Sequence, residues 1–167
     1  HEVFTCGANN HCQLGLNKAN YHVEFPTRIE IPPDCDGVKK VVCGCAFLYI
    51  ISHKNKVYSC GSNNHGQCAQ GVDDQVIPQL KLVSVAGFDK RKIVDMVCGQ
   101  YYAIFIEDDH SLWACGKNKH GLLGINSYDQ TTNVPAKICV PDHVSFKHIH
   151  AGYTHWLAVS SDNIIYG

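Results

Sequence analysis

Short runs of β-branched and aromatic residues, bounded by Gly, Asn, Asp and Pro, fill the chain from end to end. Near the middle they fall at 57–59, 79–85, 93–97 and 103–106, and runs bounded in this way predict strands. Leu80 and Leu82, with Val85 beyond them, alternate with polar neighbours, the period of a strand that buries one face. No segment longer than about two turns carries a helical period. The pattern predicts an all-β protein of many short strands.

The runs recur. Residues 3–15, 57–69 and 112–124 read alike, and the opening of a further copy stands at 164–167. Their marker glycines, Gly7, Gly61, Gly116 and Gly167, follow one another roughly every 54 residues, a period on the scale of propeller and solenoid repeats. Each of the first three ends a strand run where a turn is expected, a place that suits positive φ. A second set of matching segments, 41–51, 96–106 and 149–159, places Gly44, Gly99 and Gly152 in phase with the first. A third marker is a proline opening an apolar segment, at Pro26, Pro78 and Pro135. About four strands per repeat at a fixed period is the layout of propeller blades. The repeats divide at approximately 1–54, 55–109 and 110–162, with the start of a fourth at 163–167.

The two phrases, an apolar-aromatic pair leading to Gly-x-Asn-x-x-Gly-Gln-Leu-Gly and then Val-x-Gly-x-x-His-x-x-x-Leu, resemble the RCC1 (regulator of chromosome condensation) repeat family. The resemblance covers essentially the whole chain. It implies a partial β-propeller of three four-stranded repeats, cut from a seven-bladed parent. The chain departs from the family pattern in three ways. The position before the marker glycine, often Trp in the family, is Cys6, Cys60 and Cys115. The His of Gly-x-x-His is Phe47 and Tyr102 in two copies and only His155 in the third, and Ala69 replaces a loop glycine. A propeller needs roughly four to eight blades to close, so the remaining blades are expected in the same parent chain or in a second chain. A first residue of His1, not Met, fits the same reading.

Composition narrows the function. With 45% hydrophobic and 17% charged residues the chain has the make-up of a folded domain. A net charge of −1 gives no reason to expect nucleic acid or an anionic membrane as partner, and it disfavours chromatin binding. The cluster Lys90, Arg91, Lys92 lies between Asp89 and Asp95 and reads as a solvated loop. No apolar stretch approaches the ~20 residues of a membrane-spanning helix, and nothing resembles a signal peptide. Free cysteines and the lack of any Asn-x-Ser/Thr acceptor predict an intracellular location, cytoplasmic or nuclear.

The ten cysteines would suit a disulfide scaffold, but Cys6, Cys60 and Cys115 share one repeat position and Cys43 and Cys98 another. Equivalent positions on successive blades are too far apart for disulfide geometry, so core packing is expected. Cys43 and Cys45 stand two residues apart and no Cys-x-x-Cys pair occurs, so no shared metal is expected there. His11, His65 and His120 also repeat, two residues after Asn9, Asn63 and Asn118; turn residues bonding their local backbone are expected. His148 and His150 share a strand face without a nearby Asp or Cys. No Gly-x-Ser-x-Gly elbow, phosphate-cradling loop or opposed carboxylate pair occurs, so neither catalytic residues nor cofactors nor metals are assigned.

The expectation is a non-enzymatic scaffold that binds another protein. The family resemblance offers a small GTPase or a ubiquitin-pathway component as that protein. Its alternative is guanine-nucleotide exchange on a Ran-like GTPase, where the resemblance implies acidic and histidine side chains at the Gly-x-x-His tips. Here the tips carry only His155 and no acid. The candidate partner-binding residues are Gln100, Tyr101, Tyr153 and His155, with the variable loops 17–25, 71–77, 126–134 and 86–92 around them.

Overall fold

The computed structural model describes every residue except 1, 18–20 and 142. β1 (Phe4–Ala8) pairs with β2 (His22–Arg28) in a two-stranded sheet. β3 (Val38–Cys43), β4 (Phe47–Ser52), β5 (Val57–Ser62) and β6 (Val76–Leu82) form a four-stranded sheet. The next consists of β7 (Ile93–Cys98), β8 (Tyr102–Glu107), β9 (Leu112–Lys117) and β10 (Thr131–Lys137). A three-stranded sheet of β11 (Phe146–Ala151), β12 (Trp156–Ser160) and β13 (Ile165–Tyr166) completes the described chain. Every pairing is antiparallel and joins strands adjacent in sequence. The architecture is a partial β-propeller, as the repeat analysis predicts.

Sheets and sequence repeats are out of phase. The repeat starting near residue 55 supplies β5 and β6 to one sheet and β7 and β8 to the next. Each repeat is thereby built into two neighbouring blades. The four runs anticipated at 57–59, 79–85, 93–97 and 103–106 are these strands, most of them longer than the apolar residues alone suggest.

The core lies between blades. All six residues of β4 and all six of β8 are buried, because a sheet packs on each side of them. Such strands carry continuous apolar runs, not alternation. Tyr49 of β4 meets Phe105 of β8 edge-to-face at 5.5 Å between ring centroids. The Tyr49 hydroxyl donates to Gln67 O at 2.8 Å, so its buried polar end is satisfied. Cys60 and Cys115 are buried here as expected, and burial pushes both thiols up to about 12. Cys6 and Cys43, assigned to the same two packing positions, are exposed, and all ten thiols are free. Cys6 lies in the two-stranded sheet, where no inner strands cover it. β7 also meets β3 on one side and β11 on the other, and Lys40 of β3 pairs there with Asp95 of β7.

Two local details differ from the sequence reading. Pro26, Pro78 and Pro135 lie inside β2, β6 and β10, not at their starts. Proline is tolerated because these are edge strands whose register shifts at that level. The marker glycines lie inside β1, β5 and β9 as well, not in a turn after them. Their φ values of +105, +109 and +106 coincide with register shifts in β1 and β5. At Gly116 a Cβ would lie 2.2 Å from Tyr101 O, so only glycine lets the two backbones approach.

Candidate functional site at the blade tips

Strand direction gathers two kinds of connection at one end of each blade. The short β3–β4, β7–β8 and β11–β12 turns lie there beside the long β1–β2, β5–β6 and β9–β10 loops. Ser62 N donates to Ala46 O at 2.7 Å and Lys117 N to Tyr101 O at 2.8 Å, tying each loop to its turn.

Buried asparagines hold the long loops. Asn9, Asn63 and Asn118 each accept at Oδ1 from a backbone N, of Leu14, Cys68 and Leu123, at 3.0 Å. Their own backbone N groups donate to Tyr21, Gln75 and Gln130 carbonyls at the far ends of the loops. The local-backbone role expected of these asparagines is present. The histidines two residues on differ from that expectation. The backbone N groups of His11 and His65 are bonded by Gln13 and Gln67 Oε1, at 2.9 and 2.8 Å. The His65 ring turns outward and meets Tyr101 of the next blade, with centroids 4.9 Å apart. Burial, and then the nearby Lys117 charge, lower the His65 pKa.

The short turns are wedged by an aromatic ring. A Cβ on Gly44 would lie 2.1 Å from the Phe47 ring, on Gly99 1.9 Å from Tyr102, and on Gly152 2.4 Å from His155. The glycine is therefore a floor on which the ring three residues later rests. Tyr102 reaches further: its hydroxyl donates to Gly152 O at 3.0 Å and to His155 O, linking one blade tip to the next. Burial, and then the Cys98 thiol, push Tyr102 up to about 12.

The four candidate residues come together at the junction of the second and third of these tips. Gln100 N donates to Tyr153 O at 3.1 Å, and the Gln100 amide also bonds the Tyr153 hydroxyl. Tyr153 is 63% exposed. Tyr101 is half-buried between the His65 ring and Lys117, whose Nζ stands 5.2 Å from its ring centroid. His155 is exposed, whereas its counterparts Phe47 and Tyr102 are buried, Tyr102 against the following blade. Residues 18–20 of the loop 17–25 lie outside the described residues.

Sequence reasoning missed Lys117 and Lys119, which flank Asn118. The equivalent positions hold Ala8 and Asn10 in the first repeat and Ser62 and Asn64 in the second, so the change of charge was legible there. Arg91 also differs from its expected place in a solvated loop. It is half-buried on the opposite face, 2.7 Å from Glu107 and with its guanidinium 3.6 Å over the Trp113 ring. His148 and His150 are both exposed. Among the described residues no three His, Cys, Asp or Glu side chains are grouped to hold a metal, and no helix is long and apolar enough to cross a membrane.

Comparison with known proteins places this geometry. The family model described as regulator of chromosome condensation (RCC1) repeat matches residues 1–51, 54–106 and 109–159. A mouse protein named RCC1-like G exchanging factor-like protein is 30% identical over 149 residues, 82% of this chain and 32% of that protein. The human probable E3 ubiquitin-protein ligase HERC6 is 25% identical over 165 residues, 96% of this chain and 15% of that protein. The crystal structure of human WBSCR16 superposes with a TM-score of 0.82 at 26% identity, over 97% of this chain and 42% of that one. The chain spans less than half the length of each of these relatives.

Proposed function

We propose, from the premise that this chain belongs to the RCC1 repeat family, that it is a docking module whose blade tips bind another protein. The carrying observation is the Gln100–Tyr153 pair, a solvent-exposed aromatic held by side-chain and backbone hydrogen bonds on clipped turns. Rigid exposed aromatics lose little conformational freedom on binding and often anchor interfaces. Gln100, Tyr101 and Tyr153 are the proposed contacts, with His155 beside them. A further blade packed on β11–β13 as that sheet packs on Tyr102 would cover the His155 ring, so Tyr153 and Gln100 are weighted above it.

The relatives' names support a choice of partner class. One is named for guanine-nucleotide exchange and another for ubiquitin ligation, so a small GTPase or a ubiquitin-pathway protein is proposed, in an intracellular setting. The chain is further proposed to be part of a closed ring of about seven blades, a number within the range that closes. The scaffold role is non-enzymatic.

Affinity capture from cell extract with full-length protein, beside a Tyr153→Ala, Gln100→Ala variant, tests the reading. Loss of the captured protein in the variant supports it; retention moves the interface elsewhere. Exchange on a Ran-like GTPase is the second reading, favoured by the mouse relative's name and weakened by tips without an acid. Release of labelled GDP from such a GTPase, accelerated by orders of magnitude, would replace the scaffold reading.

A further inference from the structure

The tips of successive blades repeat in backbone but not in charge. Between the Tyr101 tip and the Tyr153 tip lies a cleft of about 330 Å³, lined by Gln100, Tyr101, Lys117, Lys119, His120 and Tyr153, with Tyr102, Leu122 and Thr154 completing it. Two lysines and an imidazole border it, and no carboxylate does. The equivalent positions one blade earlier, Ser62 and Asn64, are neutral. In a chain of net charge −1 two lysines and an imidazole thus gather at this junction, beside the exposed Tyr153.

Lys117 leans on the Tyr101 ring, and neither lysine is ion-paired among the described residues. Among the acids of these loops, Asp73 and Asp129 line an adjoining cleft that His65 also borders, and Asp74 follows Asp73 in the β5–β6 loop. Asp73 accepts there from Asn133 Nδ2 at 3.0 Å.

We propose that this cleft receives an acidic, extended segment of the docked protein. Its carboxylates pair with Lys117 and Lys119, and its apolar atoms lie against Tyr101, Tyr153 and Leu122. The inference rests on the docking reading and adds the chemistry of the partner. Charge complementarity of this kind sets the rate and choice of partner more than the final affinity, and it weakens with salt.

The test is fluorescence anisotropy with full-length protein and fluorescein-labelled octaglutamate, octalysine and oligo(U) RNA. Octaglutamate binds, more weakly as salt rises, and octalysine does not. Lys117→Gln with Lys119→Gln weakens octaglutamate binding about fivefold to thirtyfold, the effect of losing two screened ion pairs. Lys119→Gln alone, on an exposed side chain, gives a smaller loss and guards against a folding defect. Unchanged binding in the double variant, no octaglutamate binding, or tighter lysine-dependent binding of oligo(U) overturns the inference. If octaglutamate fails while Tyr153→Ala, Gln100→Ala still abolishes capture, the acidic-segment inference falls and the docking reading stands. If capture also survives that pair of substitutions, both fall.

Discussion

Replacing Gly116 by Ala separates two costs that a strand glycine can hide. The first is conformational: φ is +106, and an L-residue on that side of the map loses roughly 1–2 kcal/mol. Lower chain entropy in the unfolded state returns about 0.4–1 kcal/mol of this. The second is steric: the new Cβ would lie 2.2 Å from Tyr101 O and 2.7 Å from Tyr102 Cα. Both are backbone atoms of β8 and its turn, so no side chain can swing aside. Retreat of the Tyr101 carbonyl breaks its bond from Lys117 N, worth about 1 kcal/mol, and disturbs the buried Tyr102 ring. These terms come to about 1–3 kcal/mol, overpacking against the fixed backbone and the Tyr102 ring adds about 1–3 kcal/mol, and the total is about 2–5 kcal/mol. Gly87→Ala is the control, since its φ is +85 but nothing lies within 4 Å of an added Cβ; it should lose only about 1 kcal/mol. Equilibrium urea unfolding of both variants, read as ΔΔG at constant m, decides the matter. Equal losses would refute the claim that close backbone approach fixes this glycine.

The opposite face offers a second stability test. Glu107 accepts from Arg91, Ser111 and Trp113 at 2.7, 3.0 and 3.1 Å, so Glu107→Gln should cost about 2–3 kcal/mol in urea unfolding by stranding the half-buried guanidinium. Thiol mapping by mass spectrometry should show Cys45 and Cys139, both exposed, alkylated in native protein. Cys60, Cys68 and Cys115, whose thiols burial pushes upward, should label only on unfolding. Acid should destabilise the fold through its turn aspartates. Bonds from Ser111 lower Asp109, and the Ser160 hydroxyl lowers Asp162. A lowered folded value gives stability that is present above the unfolded pKa of about 3.9 and lost as pH falls through the folded one. The urea midpoint should therefore drop below about pH 4, and Asp109→Asn should flatten that limb.

The fold was readable because its markers answer to backbone geometry that every blade needs. The buried asparagine is legible since one side chain, on a short reach, must satisfy several loop amides. Gly44, Gly99 and Gly152 are equally legible, because an aromatic ring rests on each. What escaped was the position of each element within its sheet. Periodicity shows that Gly116 recurs, but not that it sits inside β9 against the neighbouring turn. The exposed Cys6 and Cys43 escaped for a related reason: repeat phase assigns a place in the blade, while burial depends on which neighbour covers that place. Arg91 was misplaced because charge density along the chain says nothing of Glu107 and Trp113, which reach it from later strands.

The same contrast bears on where function is written. Asn9, Asn63 and Asn118 are interchangeable among blades, so they carry no information about a partner. They make the tips rigid and leave their outward positions free to vary. Ala8, Ser62 and Lys117 occupy one such position and Asn10, Asn64 and Lys119 another. At the turns Cys45 gives way to Gln100 and Ala46 to Tyr101. Together these changes put two lysines, an aromatic ring and an amide at the junction that holds Tyr153. In a repeat protein whose scaffold residues recur, a partner can be told from another only by the departures from the repeat, and the proposed docking cleft gathers four of them.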